Sequence, residues 1–156
     1  MSILARFFAL ALLIGGVVGM LFVLLALPAM LSRSLGGALF SLLFALPNAW
    51  AAWVGLELFR DTAIGWRLSP WCYALQVPVL ITPPLVYLWF TGATVAVHAG
   101  RDPTGDLIMN AAPGIGANLQ VAVGGGGAAF SVGANLFALV AFVVLMRQRG
   151  RRATSS

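Results

Sequence analysis

The stretch "CYALQVPVLITPPLVYLWFTGATVAV", Cys72 to Val97, is 26 residues long and contains no charged residue. An apolar run of this length is typical of a helix that crosses a bilayer, which needs roughly 20 residues. The run also contains three prolines, at Pro78, Pro83 and Pro84. Proline removes a helical hydrogen bond, and it restricts the residue before it away from the α region. The stretch therefore predicts a transmembrane helix that is kinked or broken at these prolines.

The composition of the whole chain indicates a membrane protein. Of the 156 residues, 61% are hydrophobic and only 8% are charged, and the mean hydropathy is +0.99. A soluble globular domain carries about 25% charged residues, so this chain has too few to cover a surface that faces water. All nine basic side chains are arginines, which is typical of a GC-rich bacterial genome. We expect the lipid bilayer to surround most of the chain.

Three further apolar runs complete the predicted topology. For the first run, Phe7 to Leu31, the alternative is a cleaved signal peptide, but its 25 residues exceed the roughly 7–15 of a signal h-region. In the second run, Pro47 predicts a kink. The fold class is expected to be all-α, with four transmembrane helices in a single polytopic domain over 1–146 and a basic cytoplasmic tail over 147–156. The predicted spans lie at about 7–31, 35–58, 72–97 and 128–146.

The segment between the last two spans is ambiguous. Residues 107–123, "LIMNAAPGIGANLQVAV", are apolar but contain Pro113, two asparagines and a glutamine. At 17 residues the segment is marginal for a fifth span. A short interfacial or re-entrant piece in an extracytoplasmic loop is the other interpretation.

Arginine and tryptophan positions predict the orientation. With four spans and both termini inside, seven arginines face the cytoplasm, whereas Arg33 and Arg101 face the opposite side. Because cytoplasmic loops are enriched in basic residues, we expect a multi-pass protein of the bacterial inner (cytoplasmic) membrane with both termini cytoplasmic. Trp66 and Trp71 are predicted interfacial anchors. The seven arginines are Arg6, Arg60, Arg67, Arg147, Arg149, Arg151 and Arg152.

Small residues recur at helical spacing in two of the predicted spans. Gly15 and Gly19 form a GxxxG pattern, and Ala129 and Gly133 form a looser version of it. Small residues at this spacing let two helix backbones approach closely. The pattern predicts helix packing, either within the chain or against another subunit.

Candidate catalytic residues are few. The stretch "VHAGRDPTGD" contains His98, Arg101, Asp102 and Asp106, which are the residue types used in general acid–base chemistry. His98 and Asp102 would form an i, i+4 pair if the third helix continued, but the glycine and proline around them disfavour this. The arrangement is also that of an ordinary turn, and we expect it to be one, with no catalytic residue assigned.

The sequence predicts neither a metal nor a cofactor. Cys72 is the one cysteine, so there is no internal disulfide and no Cys/His cluster. The absence of lysine excludes Schiff-base chemistry and a P-loop. All four acidic residues lie in or beside predicted loops, and an ion-coupled transporter usually needs an intramembrane carboxylate or histidine.

These observations leave three hypotheses for function. The first is a non-catalytic subunit or accessory factor of a larger membrane complex, such as a secretion, conjugation, respiratory or envelope-assembly machine. The alternative is a homo-oligomeric channel or carrier for a small solute. A membrane enzyme that acts on a lipid-linked substrate is the third. Nucleic acid is not an expected partner, because the basic residues lie at the ends of apolar runs.

Overall fold

The computed structural model describes residues 1–82, 85–102, 104–123 and 130–153 and shows a mixed α/β fold. The expected all-α architecture of four transmembrane helices is therefore wrong. Within the described residues, one helix, α1, is long and apolar enough to span a membrane. The elements are α1 (Ile3–Leu31), α2 (Leu35–Phe59), α3 (Ala63–Ala74), β1 (Pro78–Ile81), β2 (Leu85–Arg101), β3 (Leu107–Val123), β4 (Phe130–Asn135) and α4 (Leu136–Ala153).

The first two apolar runs form a helical hairpin. α1 begins after Ser2, whose hydroxyl accepts a hydrogen bond from the Ala5 amide at 3.2 Å and so caps the helix. Three residues connect α1 to α2, so the two helices return along each other. Pro47 lies inside α2, and the helix continues past it rather than ending there.

The predicted third span is largely β-structure. Pro78 breaks no helix. It is the first residue of β1, which is one of the positions where a strand tolerates proline. β2 is rich in Val, Tyr, Trp, Phe and Thr, the residue types that fit a pleated strand. Pro83 and Pro84, the other two predicted breaks, lie outside the described residues.

The ambiguous segment 107–123 is β3, neither a re-entrant helix nor a fifth span. It pairs antiparallel with β2 in one unbroken register, from Leu85 opposite Val123 to Arg101 opposite Leu107. At about 3.4 Å per residue, each of the two 17-residue strands has a contour length of roughly 58 Å. Pro113 is tolerated because β3 is an edge strand in the sheet order β1-β4-β2-β3.

β2 bends at Gly92, where φ is +88°. Before the bend β2 pairs with β1, and after the bend it pairs with β4, while β1 and β4 also pair with each other. α1 crosses the strand at this point, so closely that a Cβ atom on Gly92 would overlap the carbonyl oxygen of Ala11. Both the backbone angle and the close approach of the helix therefore require glycine here.

The predicted last span is divided between a strand and a helix. Residues 130–135 form β4, and α4 begins only at Leu136. Asn135 sets this boundary, because its Oδ1 accepts hydrogen bonds from the amides of Ala138 at 3.3 Å and Val95 at 3.2 Å. Gly133 lies against His98 in the sheet and not in a helix interface, and Ala129 lies outside the described residues.

The core contains buried residues of all four described helices and Trp89 of β2. Phe8, Tyr73 and Phe137 contact each other edge to face, with ring centroids 5.7 to 6.1 Å apart. The Tyr73 hydroxyl donates a 2.8 Å hydrogen bond to the carbonyl oxygen of Phe8. This cluster joins the N-terminal half of α1 to the two shorter helices.

Candidate functional site

The polar stretch after β2 forms the turn of the long hairpin. Asp102 Oδ1 accepts hydrogen bonds from the Thr104 amide (2.9 Å), the Thr104 hydroxyl (2.6 Å) and the Asp106 amide (2.9 Å). These bonds, with that from the Thr104 hydroxyl largest, lower the pKa of the Asp102 carboxyl. Arg101 donates to the Gly105 carbonyl at 3.3 Å. The side chains of Arg101 and Asp102 thus stabilise this turn.

His98 lies apart from this turn. Its Nδ1 is 2.7 Å from the hydroxyl of Ser131 on the neighbouring β4. Because a strand rises about 3.4 Å per residue, four residues place His98 roughly 14 Å from Asp102, so the helical i, i+4 pair does not form. Among the residues that the structure describes, no group of three or more His, Cys, Asp or Glu is placed to hold a metal ion.

The GxxxG residues contact other parts of the same chain. A Cβ atom on Gly15 would overlap the backbone nitrogen of Gly92 in β2. A Cβ atom on Gly19 would come within 2.6 Å of the Asn48 side chain and 2.9 Å of the Ala117 Cβ. One face of α1 is therefore closed against α2 and the sheet.

The buried side-chain amide of Gln76 supports the bend in β2. Gln76 Oε1 accepts from the Thr91 amide at 2.8 Å and from the Thr91 hydroxyl at 3.3 Å. Gln76 Nε2 donates to the Cys72 carbonyl at 3.2 Å. Burial raises the pKa of the adjacent Cys72 thiol to about 12, so this cysteine is not activated as a nucleophile.

The face of α1 that points away from α2 and the sheet is apolar and exposed. Only 22% of its most apolar 18-residue window is buried inside the structure. A core helix of a water-exposed protein would bury its apolar stripe, whereas most of this window stays at least partly exposed. Its exposed large side chains include Ile14, Val17, Leu21, Phe22, Leu24 and Leu25.

The outer edge of β3 is a second apolar surface, and no sequence pattern pointed to it. Within the described residues, β3 pairs with β2 and with no other strand. Every side chain from Leu107 to Pro113 is exposed. Met109 is 77% exposed and Ile115 is 94% exposed. We call residues 107–123 the β3 edge.

The N-terminus and the C-terminal part of α4 meet at Asp61. The Asp61 carboxylate lies 2.8 Å from the Arg152 guanidinium and 3.7 Å from the amino group of Met1, and it accepts a 2.6 Å hydrogen bond from Trp66 Nε1. The hydrogen bond from Arg152, followed by that from Trp66, lowers the pKa of Asp61. Asp61 also has a φ of +62°, a sparsely populated conformation for a residue other than glycine.

The predicted anchor Trp66 and the orientation arginines of α4 fall at this same end. Trp66 is only 4% exposed, and its ring lies 4.3 Å below the Arg152 guanidinium, whereas Trp71 is 55% exposed. Arg147, Arg149, Arg151 and Arg152 all lie in the last two turns of α4. The N-terminus, the α2–α3 turn and the C-terminal end of α4 are thus adjacent.

Comparison with known proteins gives no match. No family model, curated protein or solved structure matches the chain.

Proposed function

We propose that the chain is a membrane-anchored, non-catalytic subunit or accessory factor of a larger bacterial membrane assembly, to which it binds by pairing the β3 edge with a strand of a partner protein. The observation that carries this proposal is the β3 edge itself, a long and apolar strand edge that the described chain leaves unpaired.

The membrane anchor rests on α1. The helix has 29 residues, or about 43 Å at 1.5 Å per residue, which exceeds the roughly 30 Å of a bilayer core. Its buried side chains Phe8 and Leu12 belong to the core of the fold. This integration supports a retained anchor over a signal peptide that is removed.

The β3 edge needs a protein partner whether it lies in lipid or in water. Alternate residues of an edge strand direct their N–H and C=O groups away from the sheet. In lipid these groups would lack hydrogen-bond partners, and in water a long apolar edge is prone to association. Residues 107–123 contain no charge to discourage pairing. Addition of a partner strand satisfies the backbone and covers Met109 and Ile115.

A non-catalytic role fits the placement of the acid–base candidates. Asp102 is engaged by three donors of its own turn, and His98 by Ser131. These contacts favour a structural use of the four residues over a lipid-linked substrate site.

Site-specific photo-crosslinking in membranes of the native host tests the proposal. A photoreactive side chain at Ile115 is expected to give one defined adduct with another protein. The matched control is Leu25, which is 68% exposed on the lipid-facing side of α1 and is expected to give no protein adduct. Absence of a protein adduct at Ile115, or the same adducts at both positions, would contradict the proposal. An adduct of twice the 16.4 kDa chain mass would assign the edge to self-association instead.

A charged substitution gives an independent readout. Ile115→Lys is expected to abolish co-purification of the partner, because a lysine on an edge strand opposes strand pairing. The fold is expected to keep its stability, since the Ile115 side chain is 94% exposed. Retention of the partner by this variant would contradict pairing at the β3 edge.

A further inference from the structure

We infer that a cleft between α3 and α4 binds the phosphate group of an anionic phospholipid. The cleft has a volume of about 470 Å³. We call it the arginine cleft. It is lined by Asp61, Ala63, Trp66, Arg67, Arg149 and Arg152. The inference rests on the membrane location in the proposed function and goes beyond it by naming the lipid class.

The charges in the arginine cleft favour an anion. Asp61 neutralises Arg152 at 2.8 Å, and the Trp66 ring stacks against the same guanidinium. Arg67 and Arg149 have neither an ion pair nor a hydrogen bond within the described part of the chain. Two guanidinium groups therefore remain available on opposite walls. Guanidinium matches the oxygens of a phosphate with paired, charge-assisted hydrogen bonds.

The position of the cleft favours a lipid as the source of the phosphate. Asp61, which lines the cleft, lies 3.7 Å from the amino group of Met1, and α1 begins two residues later. The cleft is thus beside the N-terminal end of the helix that can span a membrane. If α1 crosses the bilayer, this end lies at the headgroup layer, where basic residues are attracted to anionic lipids.

The cleft is also organised before any ligand binds. Asp61 holds the Met1 amino group, the Arg152 guanidinium and the Trp66 indole together. This arrangement fixes the α2–α3 turn and α4 relative to each other, so Arg67 and Arg149 face a common space. A pre-formed site loses less conformational freedom on binding than two mobile arginines would.

The experiment is a calorimetric titration of the full chain in detergent. The probes are short-chain phosphatidylglycerol, short-chain phosphatidylcholine and inorganic phosphate. The test variant is Arg67→Gln with Arg149→Gln. The control is Arg60→Gln with Arg147→Gln, which removes the same charge from the same end but outside the cleft. Both pairs are exposed or partly exposed, and equal melting temperatures will establish that the variants fold.

Phosphatidylglycerol is expected to bind more tightly than the other two probes. An arginine near an anionic headgroup contributes about five-fold in affinity, so the cleft variant should lose about 25-fold. The control should lose less than about three-fold. Equal losses in the two variants would overturn the site, as would equal affinity for phosphatidylcholine. Binding of inorganic phosphate as tight as that of phosphatidylglycerol would overturn the assignment to lipid.

Flotation with neutral phosphatidylcholine vesicles separates this inference from the membrane location. A chain that floats with these vesicles but does not discriminate between headgroups contradicts the arginine cleft alone. A chain that fails to float contradicts the membrane anchor and, with it, the lipid assignment.

Discussion

Replacement of Gly15 by alanine is the sharpest perturbation of the contact between α1 and the sheet. The added Cβ atom would overlap the backbone nitrogen of Gly92 and lie 2.5 Å from the carbonyl carbon of Thr91. Both neighbours are backbone atoms, so no side-chain rotation relieves the overlap. α1 must instead move away from β2 at the bend.

Two opposing terms set the magnitude for Gly15→Ala. Overpacking typically costs about 1–3 kcal/mol, and an overlap with backbone belongs near the upper limit. Alanine in place of glycine inside a helix contributes about 1 kcal/mol in the other direction. The net loss in the free energy of unfolding is therefore about 2 kcal/mol, which is roughly a 30-fold change in the equilibrium constant.

Thermal and denaturant unfolding in detergent micelles, followed by near-ultraviolet circular dichroism, measures this loss. The matched control is Gly150→Ala in α4, where a Cβ atom would meet nothing within 4 Å. The control is expected to gain up to about 1 kcal/mol from helix propensity alone. If Gly15→Ala is as stable as Gly150→Ala, then α1 does not cross β2 as described, and the reasoning is refuted.

Three further predictions concern the core and the contact between Asp61 and Arg152. Tyr73→Phe should lower the free energy of unfolding by about 1 kcal/mol, because it removes the hydrogen bond to the Phe8 carbonyl; an unchanged denaturation midpoint would argue against that bond. Cys72 should resist alkylation at pH 8 until the protein unfolds, because its pKa is raised to about 12 and its side chain is buried; rapid labelling of the folded chain by iodoacetamide would contradict this. Because the pKa of Asp61 is lowered, its contact with Arg152 stabilises the fold above about pH 4, and this stabilisation is lost as the pH falls further. The difference in melting temperature between pH 6 and pH 3 should be smaller for Asp61→Asn than for the original chain.

The helical hairpin was predictable because its signal is local. Two long apolar runs, separated by a three-residue link, define α1 and α2 with boundaries within a few residues of those expected from the sequence. Length, charge and a short link are enough for this, since each helix satisfies its own backbone hydrogen bonds.

The sheet was not predictable by the same reasoning. Run length does not distinguish a buried helix from a strand when the apolar pattern has no period. Pro78 indicated an interrupted helix and Pro113 a marginal span, although proline equally suits the start of a strand and a sheet edge. The enrichment of 85–101 in β-branched and aromatic residues was the available signal for β2. The ladder to β3 requires a distant partner, which no local pattern reveals.

The candidate site was predictable in the same uneven way. The turn at Asp102 follows from local residue types, and the structure places a turn there. The contact between Asp61 and Arg152 joins residues 91 positions apart, and the exposure of Ile115 depends on which strands cover the sheet. Both are properties of the assembled fold.

Residue-resolved amide hydrogen exchange across 107–123, measured in the purified chain and in the native membrane assembly, tests the proposed role of the β3 edge most directly. In the purified chain, protection should alternate along β3, because successive residues direct their amides toward β2 and then away from it. In the assembly, the outward amides should become protected as well, apart from Pro113, which has no N–H. Uniform protection in the purified chain would contradict the unpaired edge, and unchanged alternation in the assembly would contradict strand pairing with a partner.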